Sequence, residues 1–327
     1  MKPFSKDILK LENIEEVVEN ITGQMRDDVF HKLNRRGGAI GISGGIDSSV
    51  CMALGAKAFG PERCFGIMLP EQDSSGDSET LARELADKFG VEAIVENITG
   101  ALSGFDCYGR RDEAVRSVFP EYNPEDYKMK IGVNQSGLYS NLPPLFSVTI
   151  IDKDGKEKSK RLPAKEYMQI VASSNFKQRA RMSMIYYHAE ALHYGVIGTP
   201  NKHEKEQGFF VKYGDGGADI MPIVGLYKTQ VYELASHLGV PQGIIDRTPT
   251  TDTYSAEQTQ EEFFYQLPFE QMDLYWYGYE KGYNPAEVAE VMGETEANVK
   301  ALFVNFERKF KTTEYLRMAP IRDYYTL

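Results

Sequence analysis

The sequence predicts an α/β protein with a Rossmann-like, doubly wound parallel sheet and flanking helices. Short apolar segments alternate with amphipathic segments through the first hundred residues, and the same alternation resumes after residue 179. A glycine- and serine-rich loop joins the first apolar segment to the helix that follows it. Strands that alternate with helices of this length form parallel sheets with right-handed crossovers.

The individual elements follow from hydrophobic spacing. Apolar residues three or four apart over residues 8–36 predict one long amphipathic helix that ends at Gly37-Gly38. Short apolar runs predict strands, and amphipathic runs predict helices. The predicted strands are residues 39–42, 64–69, 91–98 and 196–199. The predicted helices after the first are residues 48–60, 77–90, 179–195, 227–239 and 296–310.

The chain divides into two predicted parts. Residues 1–255 form the sheet domain, and residues 256–327 form a helical C-terminal extension packed on it. Within the domain, residues 103–170 break the strand–helix alternation and are predicted to be an insertion. A β-hairpin is predicted at residues 146–162, around an Asp-Gly turn.

Composition narrows the functional classes. The chain has 327 residues and a formal net charge of −11, whereas proteins that hold a phosphate backbone normally carry a basic surface. We therefore expect no nucleic-acid partner. No apolar run reaches the roughly 18 residues of a membrane span, so no membrane partner is expected. Three cysteines without metal-ligand spacing, and no hydrophobic signal segment, predict a cytoplasmic protein.

The loop GISGGIDSS, residues 41–49, is the first candidate site. Its glycines let backbone N–H groups close around an anion, and the N-terminus of the following helix adds its dipole. Asp47 would repel a phosphate unless a divalent cation lay between them, so we assign Asp47 to Mg²⁺. The loop is not a Walker A motif, which ends in Gly-Lys-Ser/Thr. The alternative is a Gly-Ser turn that only caps a helix.

Further polar residues are candidates in the second half of the chain. Asp215 and Asp219 surround a glycine pair shortly after Lys212, although such a segment is also common in surface turns. Glu204 follows a strand end, where open α/β sheets place ligands, and with Asp47 it would complete an oxygen-only magnesium site.

Two basic residues complete the candidate set. Arg179 could bind a phosphate or carboxylate, and Lys228, at the start of a helix, could hold a phosphate. The alternative for both residues is ordinary helix-surface charge.

These motifs together carry a resemblance to a known family. SGGIDSS resembles the pyrophosphate loop of the N-type ATP pyrophosphatases. NFKQRARM (175–182), the run at 198–231 and PTTDT (249–253) resemble NAD synthetases of the ammonia-dependent type in order and spacing. The resemblance covers roughly residues 10–255, and it identifies residues 1–255 as an N-type ATP pyrophosphatase domain of the NAD synthetase kind.

The resemblance implies a role for each matching residue. Asp47 and Glu204 would hold Mg²⁺, and Asp47 and Lys228 would be the catalytic residues. The residues expected to contact ATP are Gly41, Ile42, Ser43, Gly44, Gly45, Ile46, Asp47, Ser48, Thr199, Lys228 and Thr250. The residues expected to contact deamido-NAD are Arg179, Lys212 and Asp219, with Asp215 as a weaker candidate.

The sequence departs from the family pattern in three places. Tyr315 and Leu316 stand where the family usually has a His-Lys pair, which puts in question how the nicotinate end is held. The insertion at residues 103–170 is longer than in short bacterial members. Residues 258–273 replace an acidic stretch that the family shows.

The resemblance implies an NAD(+) synthase. Such an enzyme transfers AMP from ATP to the carboxylate of deamido-NAD, releases pyrophosphate, and lets ammonia displace AMP. The alternative is a similar amide ligase that acts on another carboxylate. Before the loop there is room for only one helix, so ammonia is expected to be free or supplied by a separate glutaminase. The resemblance also implies a homodimer. Residues 203–218 and 146–162 are candidates for a loop that closes over the site.

Overall fold

The computed structural model describes residues 2–74, 76–133, 145–251 and 253–322. Residues 134–144 of the predicted insertion and Asp252 of the PTTDT motif lie outside the described residues. The strands are β1 (Gly38–Gly41), β2 (Cys64–Met68), β3 (Glu92–Val95), β4 (Tyr127–Val133), β5 (Phe146–Asp152), β6 (Glu157–Arg161) and β7 (Gly195–Ile197). The helices are α1 (Ile14–Arg26), α2 (Ile46–Phe59), α3 (Gly76–Phe89), α4 (Thr99–Gly104), α5 (Cys107–Val118), α6 (Ala164–Leu192), α7 (Lys202–Gln207), α8 (Lys228–Leu238), α9 (Gln242–Ile245), α10 (Phe269–Glu280), α11 (Pro285–Met292), α12 (Glu296–Thr312) and α13 (Glu314–Arg317).

The central sheet is parallel and has the strand order β3-β2-β1-β7 in the described part of the chain. β1 pairs with β2 on one side and with β7 on the other. Side chains alternate across the sheet. Ile40 packs in the apolar cluster of α1, α2 and α8, and Ala39 packs in the cluster of α6. Helices therefore cover both faces, and the prediction of a doubly wound α/β fold is confirmed.

The N-terminal helix is shorter than the predicted segment 8–36. α1 begins at Ile14 because the Asn13 side chain caps it, accepting a hydrogen bond from the Glu16 backbone N–H at 3.3 Å. It continues as a π-helical turn, Asp27–Lys32, before the chain enters β1. Among the described residues, no helix combines the length and apolar content needed to cross a membrane.

The insertion contains a second, antiparallel sheet with the order β4-β5-β6. β5 and β6 form the predicted hairpin, and Gly155 adopts a φ of +78° in its turn. β4 was not predicted from the sequence. In this strand, lysines alternate with the buried residues Met129 and Ile131. These two side chains pack with apolar residues of β5, α5 and α6 in a separate core.

α6 is much longer than predicted. It begins at Ala164, directly after Pro163, well before the predicted start at residue 179. The first half of α6 packs on α5 and on the second sheet. Its polar residues Ser173, Ser174 and Lys177 are buried at these contacts. Hydrophobic spacing does not reveal a buried helix face that carries polar residues, so it predicts the start of α6 too late. One helix thus joins the insertion to the central sheet.

The C-terminal helices form another apolar core. α10, α11 and α12 contribute buried residues that include Trp276, Val288, Val299 and Phe306. Phe4 and Leu9, from the start of the chain, and Tyr227, just before α8, pack in the same cluster. The inner sides of α11 and α12 are therefore buried in this core.

A buried group of charges joins the insertion to the loop after β2. Arg111 of α5 forms ion pairs with Asp73 and with Asp112 (2.8 Å to Asp112). Lys177 of α6 pairs with Asp73 and with Glu71 (3.0 Å to Glu71). Burial alone would raise the pKa of the Asp73 carboxyl, but the charges of Lys177 and Arg111 outweigh it and lower that pKa.

We expect Arg111→Met to lower the free energy of unfolding by about 3–5 kcal/mol, because it leaves the buried Asp112 carboxylate without its cation and leaves Asp73 with Lys177 alone. Urea denaturation of the purified protein measures this change. Arg110→Met is the matched control, since Arg110 is the exposed neighbour on the same helix. Equal stabilities of the two variants would show that the buried charges do not hold the insertion in place.

Candidate functional site

A cavity of about 370 Å³ opens at the carboxyl ends of β1, β2 and β7. Open α/β sheets bind ligands at this edge, beside the strand where the chain order reverses. The loop after β1, the loop after β2, the start of α7 and residues 247–251 line the cavity. The predicted site residues in its lining are Gly41, Ile42, Ser43, Gly45, Ile46, Asp47, Ser48, Thr199, Glu204, Asp215 and Thr250.

The loop after β1 is held by its own serines. Ser48 Oγ donates a hydrogen bond to the Gly45 carbonyl at 3.0 Å, and the Ser43 backbone N–H donates to Ser48 Oγ at 3.3 Å. α2 begins at Ile46, directly after this turn, with Gly45 as its N-cap. The first N–H groups of α2 and its dipole are therefore directed at the cavity, which favours an anion there.

Gly44 requires its glycine for two reasons. Its φ is +71°, in the left-handed region that costs other residues free energy. A Cβ atom at this position would lie 2.5 Å from the Ser78 carbonyl oxygen of α3. Gly44 does not line the cavity; it lets the loop pack directly on α3.

Asp47, which lines the cavity, forms an ion pair with Lys228, which lies behind the lining. Asp47 stands in the first turn of α2, and Lys228 is the first residue of α8. The Lys228 side chain is fully buried, whereas the Asp47 side chain is 15% exposed. Burial alone would lower the pKa of Lys228, but the charges of Asp47 and Glu204 outweigh it and raise that pKa. The buried residue is therefore an ammonium.

Asn201 connects Asp47 to Glu204. Its side-chain amide donates to Asp47 Oδ1 at 3.2 Å, and its backbone N–H donates to Glu204 Oε2 at 3.0 Å. Asn201 and Glu204 form a capping box that starts α7. Burial and then the nearby charge of Asp47 raise the pKa of the Glu204 carboxyl to about 8. Two carboxylates thus meet at one corner of the cavity.

Thr199, Thr250 and Asp215 approach the cavity from separate loops. Thr199 follows β7, and Thr250 forms an isolated bridge with Thr259. Asp215 Oδ1 accepts a hydrogen bond from the Val211 backbone N–H at 2.8 Å, so the carboxylate holds the glycine-rich loop. The structure therefore brings these three predicted residues to the cavity that Asp47 borders.

Arg179, Lys212 and Asp219 lie outside the cavity lining. Arg179 Nε donates to the Lys212 carbonyl at 3.2 Å. Asp219 accepts from the Val196 backbone N–H at 2.8 Å and from the Tyr186 hydroxyl at 3.2 Å, which fixes the loop on β7. In the single chain these side chains bind protein atoms rather than facing the cavity.

The segment with Tyr315 packs on the loop that carries Lys212. Lys212 Nζ donates to the carbonyls of Tyr315 (2.8 Å) and Met318 (2.7 Å). Arg317 donates to the carbonyls of Lys205 (3.2 Å) and Glu206 (3.0 Å) at the end of α7. Tyr315 and Leu316, which replace the family His-Lys pair, therefore lie next to the loop between Glu204 and Asp215. The Tyr315 side chain is exposed.

Several lining residues were missed from the sequence. Arg181 Nε donates to the Leu69 carbonyl at 3.2 Å, and Arg247 donates to Ser78 Oγ at 3.0 Å. Glu71, almost fully buried, joins the cavity wall to the charged group at the insertion. Asn201, which was also missed, lies behind the lining and had a readable signal, because an Asn with a Glu three residues later is typical of a capping box. The sequence around Arg181 and Arg247 contains no signal that distinguishes these residues from ordinary surface arginines.

Known proteins resemble this chain over most of its length. A sequence model described as NAD synthase matches residues 17–125 and 146–320. The chain is 46% identical over 304 residues to the NH(3)-dependent NAD(+) synthetase of Mesorhizobium japonicum, covering 93% of this chain and 95% of that protein. It is 44% identical over 320 residues to the protein of the same name from Rhizobium meliloti, covering 97% and 94%.

Solved structures share the fold. The NMN synthetase of Francisella tularensis superposes with a TM-score of 0.63 at 22% identity, over 96% of this chain and 99% of that chain. The NH3-dependent NAD synthetase of Campylobacter jejuni, in complex with a nitrate ion, gives 0.62 at 18% identity, over 95% and 99%. Since the family model and both bacterial relatives span most of its length, the chain belongs to the NAD synthase family.

Proposed function

We propose that this chain catalyses the ATP-dependent amidation of deamido-NAD to NAD, with ammonia as the nitrogen donor. The observation that carries the proposal is the Asp47–Lys228 ion pair beneath the serine–glycine loop, with Asn201 and Glu204 beside it. The relatives from Mesorhizobium japonicum and Rhizobium meliloti are named for this activity. Such a site suits a triphosphate and a reaction that releases pyrophosphate.

The ATP phosphates would lie against the loop at residues 41–48. The N-terminus of α2 offers backbone N–H donors there, and Lys228 offers a desolvated positive charge. A phosphate at this position would compete with Asp47 for the Lys228 ammonium. Thr199 and Thr250, which both line the cavity, would add hydroxyl groups.

Asp47 and Glu204 are the residues that would hold Mg²⁺. Among the described residues, no group of three or more His, Cys, Asp or Glu side chains could bind a metal alone. Mg²⁺ fits this donor set, because it is commonly bound by one or two carboxylates together with substrate phosphates. When bound, Mg²⁺ would neutralise charge that develops on the phosphates during AMP transfer.

The chain's own residues would act by positioning and electrostatics. A carboxylate resists ammonia because its carbonyl carbon is electron-rich, and AMP transfer gives it a good leaving group. Lys228 and the N–H groups of the loop would stabilise the negative charge that pyrophosphate carries away. Ammonia then attacks the acyl adenylate and AMP departs. Because residues from several segments of the chain wall the cavity, it would also limit hydrolysis of the adenylate.

Deamido-NAD would be held by Arg179, Lys212, Asp215 and Asp219. Only Asp215 lines the cavity of the single chain, so the other three would act at its rim or across a subunit interface. A homodimer, as the resemblance implies, would offer that interface. We also propose a cytoplasmic location, which suits three free and buried cysteines. Ammonia would come from solution or from a separate glutaminase.

A thiol-dependent member of the same loop superfamily is disfavoured. Burial raises the pKa of all three thiols, of Cys64 to about 12, so they stay protonated near neutral pH. The nucleophilic form of cysteine is the thiolate. These cysteines pack the core and supply no catalytic group.

The second candidate is an amide ligase for another carboxylate. The observation that favours it is that Lys212 binds the backbone of Tyr315 and Met318, in the segment where the family usually has a His-Lys pair. The chemistry at Asp47 and Lys228 would be the same. The two functions differ only in the acid that enters the cavity.

We expect the wild-type protein to form AMP, pyrophosphate and NAD in equal amounts from ATP, deamido-NAD and ammonium. Asp47→Ala should lower kcat about 100- to 1,000-fold, as loss of a charged group at a reacting centre does. Chromatographic quantification of AMP and NAD measures this. Asp87→Asn, an exposed carboxylate on α3, is the control. Wild-type rates in Asp47→Ala would refute the assigned site.

We expect Glu204→Gln to raise the Mg²⁺ concentration for half-maximal rate about 10- to 100-fold, because a neutral amide binds Mg²⁺ more weakly than a carboxylate. The rate is measured as a function of Mg²⁺ at fixed ATP. Calorimetric titration of Mg²⁺ with a non-hydrolysable ATP analogue gives an independent affinity. An unchanged Mg²⁺ requirement would remove Glu204 from the proposed metal site.

We expect deamido-NAD to drive pyrophosphate release with the highest kcat/KM in a panel of carboxylic acids. The panel includes nicotinic acid mononucleotide, nicotinate, aspartate and glutamate, each with ATP and ammonium. A coupled pyrophosphate assay measures every rate under one condition. A higher kcat/KM for another acid would favour the second candidate and leave the adenylation chemistry intact.

A further inference from the structure

Asp273 is a fully buried carboxylate in the C-terminal helical region. It lies in α10, between the apolar residues Met272 and Leu274, and its side chain has no exposure to solvent. Burying a charge without partners costs several kcal/mol, so its contacts must compensate. Both of its oxygens are used, and each binds a different element of the site.

One oxygen holds the start of α8. Asp273 Oδ2 accepts a hydrogen bond from the Thr229 backbone N–H at 2.7 Å. Thr229 is the second residue of α8 and follows Lys228. A carboxylate at a helix N-terminus is stabilised by the free N–H groups and by the helix dipole. Asp273 therefore fixes the backbone turn from which the Lys228 ammonium extends to Asp47.

The other oxygen holds α7. Asp273 Oδ1 lies 2.5 Å from His203 Nε2, and His203 is the neighbour of Glu204. The Gln207 side-chain amide donates to His203 Nδ1 at 3.1 Å, so Nε2 carries the proton and donates it to Asp273. The rings of Tyr227, Tyr265 and Trp276 surround the imidazole, with centroids 5.7, 6.0 and 5.9 Å away. The imidazole therefore has little freedom to turn.

We propose that Asp273 is a positioning residue for the reaction, which sets the spacing between Lys228 and Glu204. One carboxylate oxygen of Asp273 binds the first turn of α8, which carries Lys228. The other oxygen binds His203 of α7, the helix that carries Glu204. A displacement of either helix would separate these side chains from Asp47, which both of them approach. This inference rests on the proposed function, because the reaction whose rate is measured is the amidation of deamido-NAD.

The test is Asp273→Asn, which keeps the volume and one acceptor oxygen. The acceptor can still serve Thr229, but the negative charge that holds the imidazole is lost. The new amide N–H₂ can donate to His203 Nε2 only after the imidazole proton moves to Nδ1 and the Gln207 amide turns to accept it. We expect kcat to fall about 10- to 100-fold, as loss of a supporting contact behind a site does. KM for deamido-NAD should stay unchanged. The calorimetric affinity for Mg²⁺ with a non-hydrolysable ATP analogue should fall by a similar factor.

Glu270→Gln, an exposed acid one turn earlier on α10, is the matched control and should keep wild-type kcat and affinity. Thermal unfolding gives the folded fraction of each variant, and kcat is expressed per folded site. A lower Tm with wild-type kcat and wild-type analogue affinity would show that Asp273 only stabilises the fold, and it would overturn the proposal.

His203→Gln keeps the test decisive where Asp273→Asn does not fold. It leaves the contact with Thr229 in place and removes the imidazole that connects Asp273 to α7. We expect a smaller fall in kcat, about ten-fold, and wild-type kcat would again overturn the proposal. If the wild-type protein makes no NAD from deamido-NAD, the proposed function is wrong. The affinity for Mg²⁺ with the ATP analogue, compared between wild type and Asp273→Asn, still tests the role of Asp273.

Discussion

The buried ion pair between Asp47 and Lys228 is the constraint on which the site depends. Lys228 is fully buried, and an ammonium out of water is stable only beside a negative charge. The first turns of α2 and α8 must therefore meet at the carboxyl edge of the sheet. This meeting brings the start of α2, with its free N–H groups, close to a positive charge, and the proposed phosphate site rests on that combination.

The same pair accounts for the arrangement of α7. Asp47 accepts from Asn201 as well as from Lys228, and Asn201 is the cap of the helix that carries Glu204. A second carboxylate is held near the first although burial and repulsion raise its pKa to about 8. The fold thus keeps two acids together against their mutual repulsion, with Asn201 as the support.

The local parts of this arrangement could be predicted from the sequence. The strands around β1 are short apolar runs, which can be recognised in the sequence. Residue 44 must be glycine because of its positive φ and its contact with α3, so the turn can be recognised as well. Lys228 was separated from an ordinary surface lysine only by family resemblance. Its complete burial depends on α2 and α10, which are distant in sequence, and no local pattern contains that information.

Buried polar contacts also explain why other parts were missed. The first half of α6 carries serines and Lys177 on a buried face, so hydrophobic spacing placed its start too late. Arg181 and Arg247 reach the cavity by donating to Leu69 and Ser78, partners from other segments. A charged residue that is buried by tertiary contact looks the same in sequence as one that is solvated.

The insertion is tied to the cavity by charge rather than by apolar packing alone. Lys177 binds Glu71 of the cavity wall, Asp73 of the same loop, and the Thr253 carbonyl at 3.1 Å. Arg111 of the insertion shares Asp73 with it. Because two cations share one carboxylate, a shift of the insertion would leave a buried charge without its partner. The loop after β2 and the segment after Thr250 are therefore positioned together. The described residues of the insertion contribute to the shape of the cavity without lining it.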